Sequence, residues 1–237
     1  MNKKTPRIIT HEANTAWWGK PVGIISEAEW FLQDEATRSA QLAPYAWVEF
    51  KAPLRNSITA HALHRAGFFW ADVQINFRLA LQKVPDSPSL AAYHCASAAE
   101  KRFHIQEGQM RAFQYERFLQ LPGVTERQLD ARYVRWANQL ISEHPEWCLH
   151  LTLNGKTQGW FLSEAQGTSI KLQLAMLAAD ATASGQHLYQ RAAREYAKRG
   201  GILGLAAFSI RNTPVMNIYT SIGSKFTEPT AVWLWLP

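Results

Sequence analysis

Cysteine is scarce in this sequence: 2 of 237 residues, Cys95 and Cys148. Two thiols so placed build neither a disulfide framework nor a metal-ligand spacing. Each lies in a stretch that reads as strand, and both are expected to be buried and reduced. Long apolar runs are missing too. No segment reaches the roughly 20 apolar residues that a membrane-spanning helix needs. The start, MNKKTPRIITHEANTAWW, is basic but leads into no apolar segment or small-residue cleavage site. A cytoplasmic protein with no membrane partner is the expectation. Long basic runs are also absent, the densest sets being Lys101-Arg102, Arg132 with Arg135, and residues 191–199. Without a basic stripe or a zinc-finger spacing, nucleic acid is not an expected partner. The sequence carries no G-x-S-x-G serine elbow and no phosphate-binding loop ending in Gly-Lys-Ser/Thr. His61 and His64 stand three apart with no companion motif, so no metal is expected.

Tryptophan, by contrast, is abundant: 10 residues in a composition that is 47% hydrophobic and 19% charged. Such a chain suits one globular domain, or one domain with a smaller lobe. Most tryptophans are expected in the core or in the wall of a pocket. The net charge of +6 favours anionic ligands. With nucleic acid set aside, a phosphorylated cofactor or a nucleotide-linked substrate fits that charge.

Hydrophobic periodicity divides the chain at the prolines Pro85 and Pro88. Before them, strands are expected over 22–26 and 46–51, helices over 27–39 and 57–66, and a strand over 72–81. In that last segment Val73, Ile75, Phe77, Leu79 and Leu81 share one face, a period of two. The expected domains are an N-terminal α/β lobe over 1–88 and a larger domain over 89–237. The larger domain opens with a strand over 90–95 and a helix over 98–104. A helix over 126–141 follows, with Leu129, Tyr133, Trp136, Ala137, Leu140 and Ile141 on one face. Strands over 147–153 and 158–162 flank an Asn154-Gly155 hairpin turn. A strand over 169–179 then leads to an amphipathic helix over 184–199, with Leu188, Tyr189, Ala192, Ala193, Tyr196 and Ala197 on one side. A strand over 202–210, a short helix over 214–222 and a last strand over 230–236 complete a mixed α/β sheet rather than a repeated Rossmann unit.

Two junctions carry chemistry. In LQLAMLAADATASGQHLYQ a strand delivers the chain to a turn of small residues, and a helix begins near Ser184, which is placed to cap it. A helix start offers unpaired N–H groups and a partial positive charge, hence an anion site. Ala181, Ala183, Ser184 and Gly185 would let a phosphate approach the backbone. In FSIRNTPVMNIYTSIGSKF, Asn212 is placed to cap a helix beginning at Thr213 or Pro214, and Tyr219 lies seven residues on, along the same face. A tyrosine facing a cleft is a poor base at neutral pH but can serve as a proton donor to a leaving thiolate.

In this order and separation the junctions resemble those of the GNAT acetyltransferase superfamily. Its pyrophosphate loop, Q/R-x-x-G-x-G/A, matches Asp180, Ala183 and Gly185, with the last glycine kept. Its N-x-x-A-x-x-L-Y-x-x-x-G-F motif matches Asn212, Val215, Ile218, Tyr219 and Gly223, with Ser224 in the last place. Further segments resemble the dTDP-fucosamine (dTDP-4-amino-4,6-dideoxygalactose) N-acetyltransferase type. ANTAWWGKPVG is similar to its D-S/T-x-F-F-G-x-P-x-G, with Asn14 in the acidic place and Trp17-Trp18 as the aromatic pair. HALHRAGFFWADVQINF resembles its helix, A-G-F turn and D-V strand. Arg117 and Phe118 keep its Ser-Arg-Phe segment, Glu116 replacing the serine, and Tyr133 and Trp136 keep its Tyr-x-x-Trp helix.

The resemblance implies a GNAT-like mixed sheet flanked by helices, and transfer of an acetyl group from acetyl-CoA to a small-molecule amine such as a nucleotide-linked 4-amino sugar. It leaves a homodimer open. The cofactor-binding set it implies is Leu177, Ala183, Ser184, Gly185, Gln186, His187, Asn212 and Tyr219, with Tyr219 the catalytic acid toward the CoA sulfur. Backbone N–H groups of residues 172–177 would grip the pantetheine and polarise the thioester. Glu100, Glu116 and His187 are the candidate bases. Two other readings stand beside this one: a GNAT enzyme for another amine (an antibiotic precursor, amino acid or polyamine), and a non-catalytic acyl-CoA-binding protein of that fold.

Overall fold

The computed structural model describes residues 6–55 and 58–237. The basic stretch before Pro6 and the expected helix start at Ser57 lie outside them. Contacts divide the chain into two compact units: residues up to Ile75 together with Glu228–Pro237, and Asn76–Thr227.

The first unit holds strands β1 (Ile8–Thr10), β2 (Val22–Ile25), β3 (Trp47–Pro53), the start of β4 (Phe68–Ala80) and β11 (Thr230–Trp235). They run in the order β1-β2-β3-β11-β4. β2 and β3 are parallel, and the other pairs antiparallel. The C-terminal strand belongs here because it pairs on one side with β3, from Thr230↔Pro53 to Trp235↔Val48, and on the other with β4. The units therefore divide at 75/76, and the chain's end joins the first of them, unlike the division expected at 88/89. The expected helix over 27–39 is broken into a 3₁₀ turn, Ala28–Leu32, and α2 (Glu35–Leu42). Asp34 is the cause: its carboxylate accepts the Thr37 N–H at 2.9 Å and the Thr37 hydroxyl at 2.7 Å, starting a new helix there. Two further helices are α1 (Glu12–Trp18), which periodicity did not reveal, and α3 (Ala60–Arg65), begun by Thr59 and followed by Gly67 at φ +83°. Trp30, Phe31, Phe50 and Phe68 form the core, with edge-to-face contacts at centroid distances between 4.8 and 6.1 Å.

In the second unit the rest of β4 leads a sheet in the order β4-β9-β8-β7-β6-β5, with β10 (Lys225–Phe226) on β4. Its strands are β5 (Tyr93–Ser97), β6 (Cys148–Leu153), β7 (Lys156–Gln166), β8 (Ser169–Leu177) and β9 (Leu203–Ser209). β5 to β8 form an antiparallel run, and β8 pairs with β9 in parallel. Asn154 and Gly155, at φ +51° and +77°, make the expected tight turn between β6 and β7. Helix α4 (Glu126–Glu143) starts with a complete capping box between Thr125 and Gln128. It packs Tyr133, Ala137 and Leu140 on one sheet face, against Trp160, Leu162, Leu174 and Met176. Helices α5 (Gly185–Lys198) and α6 (Thr213–Ser221) cover the other face, over Leu149, Phe161 and Ile170. α5 stops where Gly200, at φ +92°, lets its N–H reach Ala197 O and the Gly201 N–H reach Tyr196 O, a Schellman ending.

The helix expected over 98–104 does not form. Long-range partners take up its first N–H groups instead: Ala98 donates to Cys148 O at 2.9 Å and Ala99 to Pro145 O at 3.2 Å. Both cysteines lie on strands with free thiols. Burial pushes Cys95 up to about 12 and Cys148 up to about 11, so neither is a thiolate nucleophile at neutral pH. Among the described residues no helix is long and apolar enough to cross a membrane.

Candidate active site

The strands before Ser184 and Asn212 are neighbours, but only briefly. β8 and β9 pair at Ser169↔Leu203, Ile170↔Gly204 and Lys171↔Leu205, and then part. β8 keeps its other neighbour throughout: β7 stays paired as far as Gly159↔Leu177. The parting begins at a β-bulge. Leu162 opposes Leu174 and Ser163 opposes Leu172, leaving Gln173 as an extra residue two places beyond Lys171, the last β8 residue paired with β9. A bulge bends its strand and increases its twist. Past it, the β8 residues that do not bond β7 turn their N–H and C=O groups away from any β9 partner, until the segment around Met110 takes up the edge, with Arg111 N–H on Leu177 O and Ala179 N–H on Gln109 O, both at 2.9 Å.

The loop after β8 is held from inside the sheet. Gln158, 1% exposed, accepts the N–H groups of Thr182 and Ala183 at 3.0 and 2.9 Å. Ala183 therefore turns its N–H toward the protein. Arg111 secures the same loop, its guanidinium reaching Ala181 O at 2.6 Å, and its N–H bonds the Leu177 carbonyl at 2.9 Å. Ser184 occupies the N-cap position of α5, but its side chain makes no capping bond, contrary to expectation. The consequence is chemical. The N–H groups of Gly185, Gln186 and His187 meet no acceptor among the described residues, and they lie at the positive end of a 14-residue helix. A side chain at Gly185 would also press on α6, because a Cβ there would lie 3.3 Å from Ile218 Cδ1.

On α6, Asn212 caps as expected, its side-chain oxygen accepting the Val215 N–H at 3.3 Å. Tyr219 is 6% exposed. Its ring lies 4.0 Å from that of Phe77, stacks on Phe208 at 5.8 Å and meets Tyr189 edge-on at 5.2 Å. Burial drives its hydroxyl well above the ordinary tyrosine range. It stays protonated at neutral pH and can donate a hydrogen bond but cannot act as a base.

The candidate bases fall apart in space. Glu100 accepts the Ser97 N–H at 2.8 Å and pairs with Arg199 at 2.7 Å, and both contacts hold its carboxyl below the usual range. Arg199 closes the C-terminal end of α5, about 21 Å from the helix start at 1.5 Å per residue, which removes Glu100 from the candidate bases. Glu116 is buried, caps the 3₁₀ turn Arg117–Gln120 and pairs with Arg117 at 3.3 Å. Guanidiniums of Arg117 and Arg132 lie 4.3 and 4.6 Å from the Phe118 ring centroid. His187 sits in the first turn of α5, its Nδ1 3.3 Å from the Tyr93 hydroxyl. Asn14 is buried on α1 in the first unit, one turn from the edge-to-face pair Trp17 and Trp18. Gln158 and the bulge at Gln173 have no local sequence signal, since each acts through partners on another segment.

Three solved structures are similar in fold. A functionally unknown conserved protein from Staphylococcus epidermidis matches at TM-score 0.60 and 11% identity, over 100% of this chain and 93% of its own. A GCN5-related N-acetyltransferase from Sphaerobacter thermophilus matches at 0.53 and 13%, over 80% of this chain and 59% of its own. The GCN5-related glucosamine N-acetyltransferase region of a fungal multi-domain protein matches at 0.59 and 9%, over 97% of this chain and 31% of that one. The chain has the GNAT fold. It spans less than two thirds of the Sphaerobacter protein and under a third of the fungal one. No protein-family model matches the sequence, and no curated protein does either. Within the GNAT fold, the parting of β8 from β9 and the start of α5 are the features that could receive an elongated, phosphorylated cofactor.

Proposed function

We propose that this chain is an N-acetyltransferase that moves an acetyl group from acetyl-CoA to a small-molecule amine. The observation that carries the reading is the gap between β8 and β9, with the uncapped start of α5 at the end of the same strand. Pantetheine would lie along the freed edge of residues 172–177, bonding as a partner strand would. The pyrophosphate would meet the N–H groups of Gly185, Gln186 and His187, with Leu177, Ala183 and Ser184 shaping the approach. Asn212, by starting α6, fixes where Tyr219 points.

The amine nitrogen attacks the thioester carbonyl, the C–S bond breaks, and its electron pair goes to sulfur. Holding both reactants together supplies much of the rate. The Tyr219 hydroxyl donates to sulfur as charge develops there, an interaction stronger in the transition state than before it. The net charge of +6 suits an acceptor that itself carries phosphates, and the dTDP-fucosamine resemblance makes a nucleotide-linked 4-amino sugar the first acceptor to try. The neighbour described as a glucosamine N-acetyltransferase region also acts on an amino sugar.

The non-catalytic reading draws on one feature: Gln158 occupies two loop N–H groups that a phosphate could otherwise use. A thiol-release assay decides between them. Nucleotide-linked amino sugars should be acetylated faster than simple polyamines, and Tyr219→Phe should slow the isolated chemical step roughly 10- to 10⁴-fold with little change in acetyl-CoA affinity. Binding without turnover of any amine supports the non-catalytic reading. A Phe variant as fast as wild type makes Tyr219 a packing residue.

A further inference from the structure

We propose that Gln158 and Arg111 are positioning residues for the phosphate end of acyl-CoA: they hold the turn after β8 so that α5 presents its first N–H groups unused. The assignment rests on the acyltransferase reading above. Two peptide groups carry it. A planar trans peptide points its C=O and N–H in opposite directions, so one group can be gripped from two sides. The peptide joining Leu177 and Ala178 is gripped by main chain. Its carbonyl accepts the Arg111 N–H at 2.9 Å, and its N–H donates to the Gln158 carbonyl at 3.0 Å. The peptide joining Ala181 and Thr182 is gripped by the side chains of the same two residues. Its carbonyl accepts from the Arg111 guanidinium at 2.6 Å, and its N–H donates to Gln158 Oε1 at 3.0 Å. Gln158 Nε2 donates to Lys156 O at 3.3 Å, which leaves the amide oxygen for the turn.

The turn needs this outside support. Residues 178–183 read AADATA, with few side chains long enough to anchor them. A helix start is ordinarily fixed by a capping side chain, and that cap consumes the N–H of the second or third helical residue. Ser184 makes no such bond. Gln158 instead accepts the N–H groups of Thr182 and Ala183, the two residues before the cap position. The entry to α5 is thereby fixed while the N–H groups of Gly185, Gln186 and His187 stay unspent. A phosphate arriving there meets donors already in place and does not have to order the turn, and such preorganisation raises affinity without a new contact. Gln158 is 1% exposed and neutral, whereas Arg111 is exposed. Both act through the backbone of the turn. Their part is to place donors, not to touch the phosphate.

The test is calorimetric titration of the full chain and its variants with acetyl-CoA and with S-acetylpantetheine, which shares the thioester arm but lacks the diphosphate and nucleotide. Gln158→Met keeps a similar volume and removes the acceptor. Its preference for acetyl-CoA over S-acetylpantetheine should fall roughly 5- to 50-fold. No charge changes in that variant, so the loss cannot come from the field at the phosphates. Arg111→Met, at an exposed position, should lower the same preference. In the double variant the two losses should combine to less than their product, as expected of residues that grip one peptide. Acetyl-CoA binding to Gln158→Met as tight as wild type, or tighter, overturns the proposal, because the freed N–H groups would then serve the phosphates directly. Equal losses for both donors overturn it too, since they mark general damage rather than a misplaced turn. If Gln158→Met does not fold, Arg111→Met decides, and an unchanged preference there overturns the proposal. Each of these outcomes leaves the acyltransferase reading standing. Failure of wild type to bind acetyl-CoA overturns both.

Discussion

The two units of this chain build aromatic cores in different ways. The first packs Trp30, Phe31, Phe50 and Phe68 edge to face. Of the protein's 7 Tyr, only Tyr45 belongs to it, and it contains neither cysteine. The second buries Tyr93, Tyr133, Tyr189, Tyr196 and Tyr219, together with Cys148. Phenylalanine and tyrosine bury similar apolar area, but each buried phenol needs a partner or a reason to lack one. Tyr196 has its partners in Ser163 and Phe161. The Tyr189 ring packs instead on Phe161 of β7 and the Tyr219 ring on Phe208 of β9, and neither hydroxyl is sealed away from solvent without a partner. The contrast separates a core of phenylalanine and tryptophan from one that carries hydroxyl and thiol groups into the interior.

Breaking the first core should have the largest effect on stability. Phe31→Ala removes a ring in contact with Trp30, Phe50 and Phe68 and should cost about 3–5 kcal/mol, read by urea denaturation. A loss under about 1 kcal/mol would mean that this core does not behave as a packed interior. Next comes Tyr196→Phe, which leaves Ser163 Oγ buried without its partner. It should destabilise by about 1–3 kcal/mol, less than the loss of the Phe31 ring. No loss of stability would mean that the bonds to Ser163 and Phe161 do not help to hold this second core.

The smallest effect is a pH dependence confined to the second unit. Tyr189, Tyr196, Tyr219, Cys95 and Cys148 all have folded-state pKa values raised by burial. In the unfolded chain the thiols ionise near about 8.5 and the phenols near about 10. Stability from keeping them neutral is fully present below those values. It is lost as pH rises past them toward the folded values, about 11 for Cys148 and about 12 for Cys95. Denaturant midpoints between pH 8 and pH 10.5 should fall for the second unit and hold for the first. Equal falls in both would place the alkaline sensitivity elsewhere.

Local chemistry made much of the second unit legible. The Asn154-Gly155 turn, the α4 face and the apolar stripe of α5 are encoded within a few residues of each other, and so is the Asn212 cap. What escaped depends on distant segments. Asp34 split one expected helix by capping a new one, and the carbonyls of Cys148 and Pro145 took up the first N–H groups of another. β11 joins the first unit only through pairing with β3 and β4, far back in the chain. At the site, the stripe placed Tyr189 correctly in the core, but periodicity says nothing about whether a hydroxyl finds a partner. The Gln158 contacts span 24 and 25 residues, and the bulge at Gln173 exists only in register with β7. Sequence pattern thus located the junctions, while tertiary contacts decide which of their N–H groups are taken up by the protein itself.

The central claim is that acyl-CoA binds where β8 leaves β9, with its phosphates at the start of α5. Calorimetric titration with acetyl-CoA tests it most directly. Wild type should bind with a Kd below about 1 mM. Gly185→Val, verified as folded by circular dichroism, should bind at least about tenfold more weakly, because its side chain fills the approach to the α5 N–H groups. No heat of binding to wild type at about 1 mM, or equal affinity in a folded Gly185→Val, would contradict the account.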